Sequence, residues 1–295
     1  MNSNCYKAFI FILFSWLLFS CHYERRFTRK KYFSLNYTPP GTIKIGNNLY
    51  FDETESSNTN YREYLYWTCI VFGDTSREYK SALPDTLVWM KTYPCLYSFV
   101  NYYLRHPAYQ NYPVVGISQK QARDYSKWRS DRVMEYILVQ LKKFDWDAKP
   151  DRNTCFTIER YFSGHYHNLK PDTAIKYYPK YDLPTSDEFL TAVHFSDSVD
   201  RHEKYIFIQE DIVPCSGDTL KYFPTAPVFS GYSKAIYNLR GNVREWLADD
   251  STVFGGGWNE HIIPLYLFSP DTLSTQDAYT GFRNVCRWVK FKREY

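Results

Sequence analysis

Seven cysteines and seven histidines are the side chains of this chain best suited to bind a metal or act as nucleophiles. The cysteines stand at 5, 21, 69, 95, 155, 215 and 286, and no two have C-x-x-C or zinc-finger spacing. His165-x-His167 is a close pair, but alternate residues of an extended segment face opposite ways, so it reads as two surface histidines. Gly255-Gly256-Gly257 is not followed by Gly-Lys-Ser/Thr, so it reads as a tight backbone approach beside a strand rather than a phosphate cradle. No Gly-x-Ser-x-Gly elbow or paired-carboxylate motif stands out. Cys21 differs, because its surroundings specify a reaction. Lys7 is followed by an apolar run from Ala8 to Phe19, too short to span a bilayer and right for a signal-peptide core. The run ends in Leu18-Phe19-Ser20-Cys21, which matches a bacterial lipobox. Residues 1–20 are then a lipoprotein signal peptide, and cleavage leaves Cys21, acylated on its thiol, as the first residue.

Two or three acyl chains give stable anchoring where one does not. Residues 21–40 follow as a basic tether, with Arg25, Arg26, Arg29, Lys30 and Lys31 available to acidic head groups. Residue 22 is His rather than Asp, so the usual inner-membrane retention signal is missing. The expected destination is the outer membrane, the periplasmic face being favoured over the cell surface. Removing Cys5 and Cys21 leaves five cysteines, an odd number. One disulfide could form in an oxidising compartment, with no pairing singled out, and the rest read as buried thiols.

The 295 residues are 44% apolar, 23% charged and 20% aromatic, a composition that builds a core and excludes disorder as the main state. A mean hydropathy of −0.51 with a single apolar run excludes a polytopic membrane protein. The formal charge of +4 comes from the N-terminus. From residue 32 onward 30 bases face 31 acids, a net of −1, so no nucleic-acid partner is expected.

The elements that must position the chemistry are partly legible. Thr42-Ile43-Lys44-Ile45-Gly46 alternates as a strand, and Leu49-Tyr50-Phe51 follows as a second short one. A helix is expected from Asn58 or Thr59 through Tyr61, Leu65 and Cys69 to Gly73. The strongest helix signal opens at Ser118, with Gln121 completing a capping box. Ala122, Tyr125, Trp128, Val133, Ile137 and Leu141 form its expected buried stripe. Thr185 opens another helix, with Glu188 in the box position and Phe189, Ala192 and Val193 facing inward. The remainder is loop-rich and aromatic, without repeats or strand–helix alternation. The expected class is α+β, an irregular single domain over residues 41–295.

Six fragments in order resemble the formylglycine-generating-enzyme (sulfatase-modifying-factor) domain family. Asp52–Tyr61 resembles its early E-V-T-N-x-x-Y segment, and Tyr112–Ser118 with Ala122 and Trp128 its P-V-x-x-V-x-W-x-x-A segment. Leu183–Phe189 resembles R-L-P-T-E-A-E-W. Ala226-Pro227-Val228 and then Tyr237–Trp246 resemble the stretch ending in G-N-V-x-E-W. Gly255–Trp258 and Gly281-Phe282-Arg283 resemble the closing R-G-G-S-W and G-F-R. Leu83–Trp89, His106–Tyr109, Trp128–Val133 and Phe156–Tyr161 look most like one branch, the gliding-motility lipoproteins J and K, although this chain is shorter than expected of that branch.

The resemblance implies a formylglycine-generating-enzyme-like fold, related to C-type lectins. It also implies where oxidase chemistry should sit: two cysteines just after R-G-G-S-W, a soft pair suited to Cu(I). Here Trp258–Phe268 contains no cysteine, so no copper and no catalytic activity are expected, and no catalytic residue is assigned. The related iron-dependent synthases need a three-histidine set that is not apparent. The family's calcium carried over position by position would be held by Asn238, the carbonyls of Gly241 and Val243, and Glu245, a hard-oxygen set. The apolar 258–268 loop, with Ile262, Leu265, Tyr266 and Phe268, is expected either to fill the vacated cleft or to dock a partner. Together these features suggest a non-catalytic structural lipoprotein of the outer membrane serving gliding motility or type IX secretion, with proteins of that machinery as partners. The alternatives are a ligand-binding module for glycan or peptide on the same fold, and an oxidase-like enzyme with altered chemistry.

Overall fold

Residues 37–199, 215–216, 219–220, 223–230, 235–258, 271–273 and 275–292 are described in the computed structural model of the chain. The body from Thr38 onward is one unit. It opens with an antiparallel hairpin, Thr42–Gly46 (β1) and Leu49–Asp52 (β2), in which Thr42 lies opposite Asp52 and Ile43 opposite Phe51. Asn48 turns the hairpin at φ 54°, a left-handed conformation that asparagine tolerates. Its side chain also grips Trp288, accepting from the backbone N–H at 2.9 Å and donating to the C=O at 3.0 Å.

Asn58–Phe72 (α1) starts where expected, capped by Ser57 and Asn60 in a reciprocal box and ended by Gly73 at φ 91°. Short helices follow: Arg77–Ala82 (α2), Val88–Thr92 (α3) and Tyr97–Tyr102 (α4), with 3-10 turns at Pro94–Leu96 and Pro107–Tyr109. None of these carried a periodic signal. Gln119–Gln140 (α5) has the expected Ser118/Gln121 capping box. Its buried face differs from the expected stripe. Ser126, Ser130, Met134 and Leu138 are buried beside Ala122, Tyr125 and Ile137, whereas Trp128, Val133 and Leu141 are half-buried. The two serines enter the core because each hydroxyl donates to the carbonyl one turn back, Ala122 at 2.8 Å and Ser126 at 2.9 Å, leaving no unmet polar group.

Ile158–Ser163 (α6) is capped by Thr157 and closed by Gly164 in the left-handed region. Tyr177–Asp182 (β3) leads into Ser186–Val199 (α7), where Thr185 and Glu188 exchange the expected capping bonds at 3.0 and 3.3 Å. Phe189, Ala192 and Val193 point inward as expected. The rest is short strands: Cys215–Ser216 (β4), Thr219–Leu220 (β5), Arg244–Trp246 (β6), Thr252–Phe254 (β7), Asp271–Thr272 (β8), Thr280–Gly281 (β9) and Val285–Lys290 (β10). One sheet has the order β1-β2-β10-β3, another β8-β7-β6-β9, and β4-β5 is a separate hairpin. Only the β6–β9 pairing is parallel among the described strands. This is the irregular α+β body expected, without strand–helix alternation.

Aromatic rings hold the layers together. Tyr125 stacks on Tyr61 at 5.8 Å and meets Phe282 edge-on at 5.1 Å. Trp246 is buried with its indole N–H donating to the Ile117 carbonyl at 2.9 Å, so its polar handle is satisfied. Among the described residues, no helix is long and apolar enough to cross a membrane. Cys69, Cys155 and Cys286 are free thiols, and Cys95 is in a disulfide whose other half lies outside the described side chains. His165 and His167 are both exposed, and no three His, Cys, Asp or Glu residues among those described cluster as metal ligands.

Candidate functional site

Three segments distant in sequence converge between the two main sheets: 52–58 after β2, 237–245 leading into β6, and 281–284 between β9 and β10. The middle segment is wound tightly. Asn238, Gly241 and Asn242 have φ of 50°, 83° and 62°, so two asparagines and a glycine occupy the left-handed positions that other residues resist. The Gly241 N–H donates to the Gly255 carbonyl at 2.7 Å, which ties this loop to the glycine run after β7.

At the centre lies Arg283, fully buried. Its Nε and Nη2 donate to the two oxygens of Glu245 at 2.7 and 2.6 Å, a bidentate pair. Nη2 also donates to the carbonyls of Tyr237 at 2.9 Å and Asn238 at 3.2 Å. A second buried carboxylate, Glu55, stands 3.9 Å from the same guanidinium. Its oxygens accept from Asn242 Nδ2 at 2.8 Å and Asn238 Nδ2 at 3.1 Å. One cation thus faces two acidic side chains, all three buried. Burial pushes the Glu55 carboxyl up from the ordinary 4.5 to about 8, against the opposing pull of Arg283 and the amide donors. Burial also raises Glu245, with Arg283 again opposing.

Alongside runs a second buried pair. Asp52 Oδ2 accepts from Arg129 Nη1 at 2.6 Å and from the Asn284 N–H at 2.9 Å. Asn284 reaches Ser126 Oγ on α5 at 2.6 Å, and Arg129 lies over the Tyr181 ring at 4.2 Å. The two networks staple the hairpin, α5, β6 and β10 into one body. Sequence reading placed Glu55 and Arg283 within motif fragments but assigned neither a role. Their partners lie 183 and 38 residues away, beyond the reach of any local pattern.

The expected calcium set is only partly assembled. Asn238, Gly241, Val243 and Glu245 do share one loop, but both oxygens of Glu245 are occupied by Arg283, and the Asn238 amide donates to Glu55 and to the Val228 carbonyl at 3.2 Å. A guanidinium stands where Glu245 would meet a metal, so the donor set does not fit calcium as it stands. Cys21, Ile262, Leu265, Tyr266 and Phe268 lie outside the described residues. The stem of that loop is described. Trp258 is buried against Tyr279 at 4.6 Å and stacks on Trp89 at 6.3 Å, with its indole N–H on the Ala278 carbonyl at 2.9 Å. Cys286, beyond the G-F-R fragment, is fully buried on β10, and burial pushes its thiol well above the usual range.

A pH dependence follows from Glu55. In the folded chain its carboxyl holds a proton up to about 8, whereas the unfolded chain releases it near 4.5. The folded state therefore binds more protons between those values, and its advantage is greatest below 4.5 and lost as pH rises towards 8. Asp131 and Glu135, raised to about 6 and about 7 by burial, slope the same way. Glu55→Gln keeps the shape without the ionisation, so its urea midpoint should fall less than the wild type's between pH 5 and pH 9. Parallel profiles would refute the assignment.

The family profile described as a sulfatase-modifying factor enzyme 1-like domain matches residues 21–286 of this chain. Eighteen solved protein chains match it. One of them, the crystal structure of CarF, is 15% identical, with a TM-score of 0.40 over 81% of this chain and 86% of that one. The comparison with curated proteins returns no match.

Proposed function

This chain belongs to the sulfatase-modifying factor enzyme 1-like domain family, and from that membership we propose that it is a non-catalytic lipoprotein of the outer membrane, serving gliding motility or type IX secretion. The observation that carries the non-catalytic reading is the sequence that follows Trp258. No cysteine occurs up to residue 285, and Cys286 is single, buried and disfavoured as a thiolate. Without a soft thiolate pair the loop has nothing to hold Cu(I) and activate oxygen. What the fold keeps is its framework: the buried pairs and the wound 237–245 loop serve cohesion rather than chemistry. The Leu18-Phe19-Ser20-Cys21 lipobox supports envelope anchoring, and the disulfide at Cys95 supports an oxidising compartment. The fragments Leu83–Trp89 and His106–Tyr109 favour the gliding-motility branch.

The test is Cys21→Ala with a radiolabelled fatty acid, followed by affinity isolation from envelope fractions. The wild type should carry label and bring down secretion-machinery proteins, and the variant should remain an unlabelled precursor that does neither. Label persisting in the variant overturns the anchoring. A labelled wild type that isolates alone overturns the role in the machinery.

A further inference from the structure

A groove of about 850 Å3 lies between α5, α6, β3 and the residues after β10, away from the converging loops of the buried network. That volume is in the range of sites for small ligands. Its apolar surface comes from Ile158, Tyr178 and Phe291, the last held rigid by stacking on Phe162 at 4.6 Å. Four cations and three carboxylates line it. Two of the carboxylates are committed within the protein. Asp182 pairs with Lys180 at 2.9 Å and Arg123 at 4.0 Å, and Asp131 accepts the Ile158 N–H at 2.9 Å. Lys127 and Lys292 are exposed and form no ion pair within 4 Å among the described residues, although Lys127 lies close enough to Asp131 to favour its charged form, so both ammonium groups can reach a ligand in the groove. Glu159, also exposed and unpaired there, is an acceptor suited to hydroxyl groups.

The strand bordering the groove argues against an extended peptide. β3 is the outer strand of its sheet, the position at which a peptide would add by backbone pairing. The backbone groups of Tyr181, Pro179 and Tyr177 point away from β10, alternating with those bonded to it. The Tyr181 N–H is already taken by Ser130 Oγ at 2.9 Å, and Pro179 has no N–H to offer. A backbone ladder is blocked, while an aromatic wall, hydroxyls and free ammonium groups remain.

We propose that this groove binds an acidic carbohydrate, a sugar ring lying on Tyr178 and Phe291 with its carboxylate or phosphate directed to Lys127 and Lys292. The assignment is independent of membrane anchoring and of any secretion role. The test is calorimetric titration of the full-length chain in detergent with a linear galacturonate tetramer, a neutral glucose tetramer and a glutamate tetrapeptide. The galacturonate tetramer should bind, more weakly as salt rises. Lys127→Glu with Lys292→Glu should weaken it about tenfold or more, the scale of losing a charge-assisted bond. Tyr178→Ala should weaken it as well, with the melting profile unchanged. Equal binding of the neutral tetramer would overturn the charge assignment. Equal binding of the tetrapeptide, insensitive to Tyr178→Ala, would overturn the sugar. No binding by any of the three would overturn the site.

Discussion

Arg283→Met should cost about 3–5 kcal/mol of stability, enough to leave a marginal domain largely unfolded. The guanidinium is wholly buried and is shared by Glu245, Glu55 and two backbone carbonyls. Methionine fills much of the volume but offers no donor. The buried Glu245 then loses both of its side-chain donors, while Glu55 keeps only the Asn238 and Asn242 amides. The loss should be smaller in the double variant with Glu245→Gln, because one stranded charge is removed with the cation, and the difference from additivity reads the coupling. Urea denaturation of the four proteins at one pH measures all of this. A single variant that loses under about 1 kcal/mol, the scale of an exposed pair, would show that the buried pairs are not what joins the three segments.

Gly116→Ala should cost at least about 3 kcal/mol, although it adds a single methyl group. Gly116 sits at φ +73°, where an L-residue pays about 1–2 kcal/mol. Its new Cβ would stand 2.4 Å from the Asp85 carbonyl oxygen and 3.2 Å from Val88, so the backbones must separate. Gly116 makes two backbone hydrogen bonds that such a shift disturbs, accepting from the Asp85 N–H at 2.8 Å and donating to the Asp277 carbonyl at 3.0 Å. Stretching them leaves polar groups poorly met, at about 1–3 kcal/mol each. Gly164→Ala is the control. It has a similar positive φ in the left-handed region and meets the added carbon only at 3.9 Å, an ordinary contact, so it should pay only the conformational cost. Equal thermal midpoints for the two variants would refute the close-approach argument.

These cases also show what a single sequence conveys. Capping residues act over three or four positions, so Ser118 with Gln121 and Thr185 with Glu188 announced their helices correctly. β3 has no readable sequence signal, because Tyr177-Tyr178-Pro179-Lys180-Tyr181-Asp182 carries a proline, which an outer strand tolerates but which is otherwise unlike a strand. The two- and three-residue strands β6 to β9 are shorter than any period can resolve. The α5 stripe was misplaced at Ser126 and Ser130, whose hydroxyls bond locally and so pass as core residues despite their polarity. At the site, the loop carrying Asn238, Gly241, Val243 and Glu245 was legible as a unit. That Glu245 would meet Arg283 was not, since the pairing depends on how two sheets close on each other.

The position of β10 has a consequence for the order in which this protein can be made. It lies between β2 and β3, paired antiparallel with both, so the central strand of that sheet is synthesised after its neighbours. Asn284, at its start, reaches back to the Asp182 carbonyl 102 residues earlier. At about 5–20 residues per second, β3 waits roughly 5–20 seconds and the β1–β2 hairpin more than twice as long for the strand that joins them. Until it arrives, both flanking strands present unpaired edges, and neither Asp52 nor the Glu55 carboxylate has its partner from the 283–284 turn. A chain built this way cannot complete this sheet until nearly all of it has left the ribosome, so the sheet closes as a late, single event.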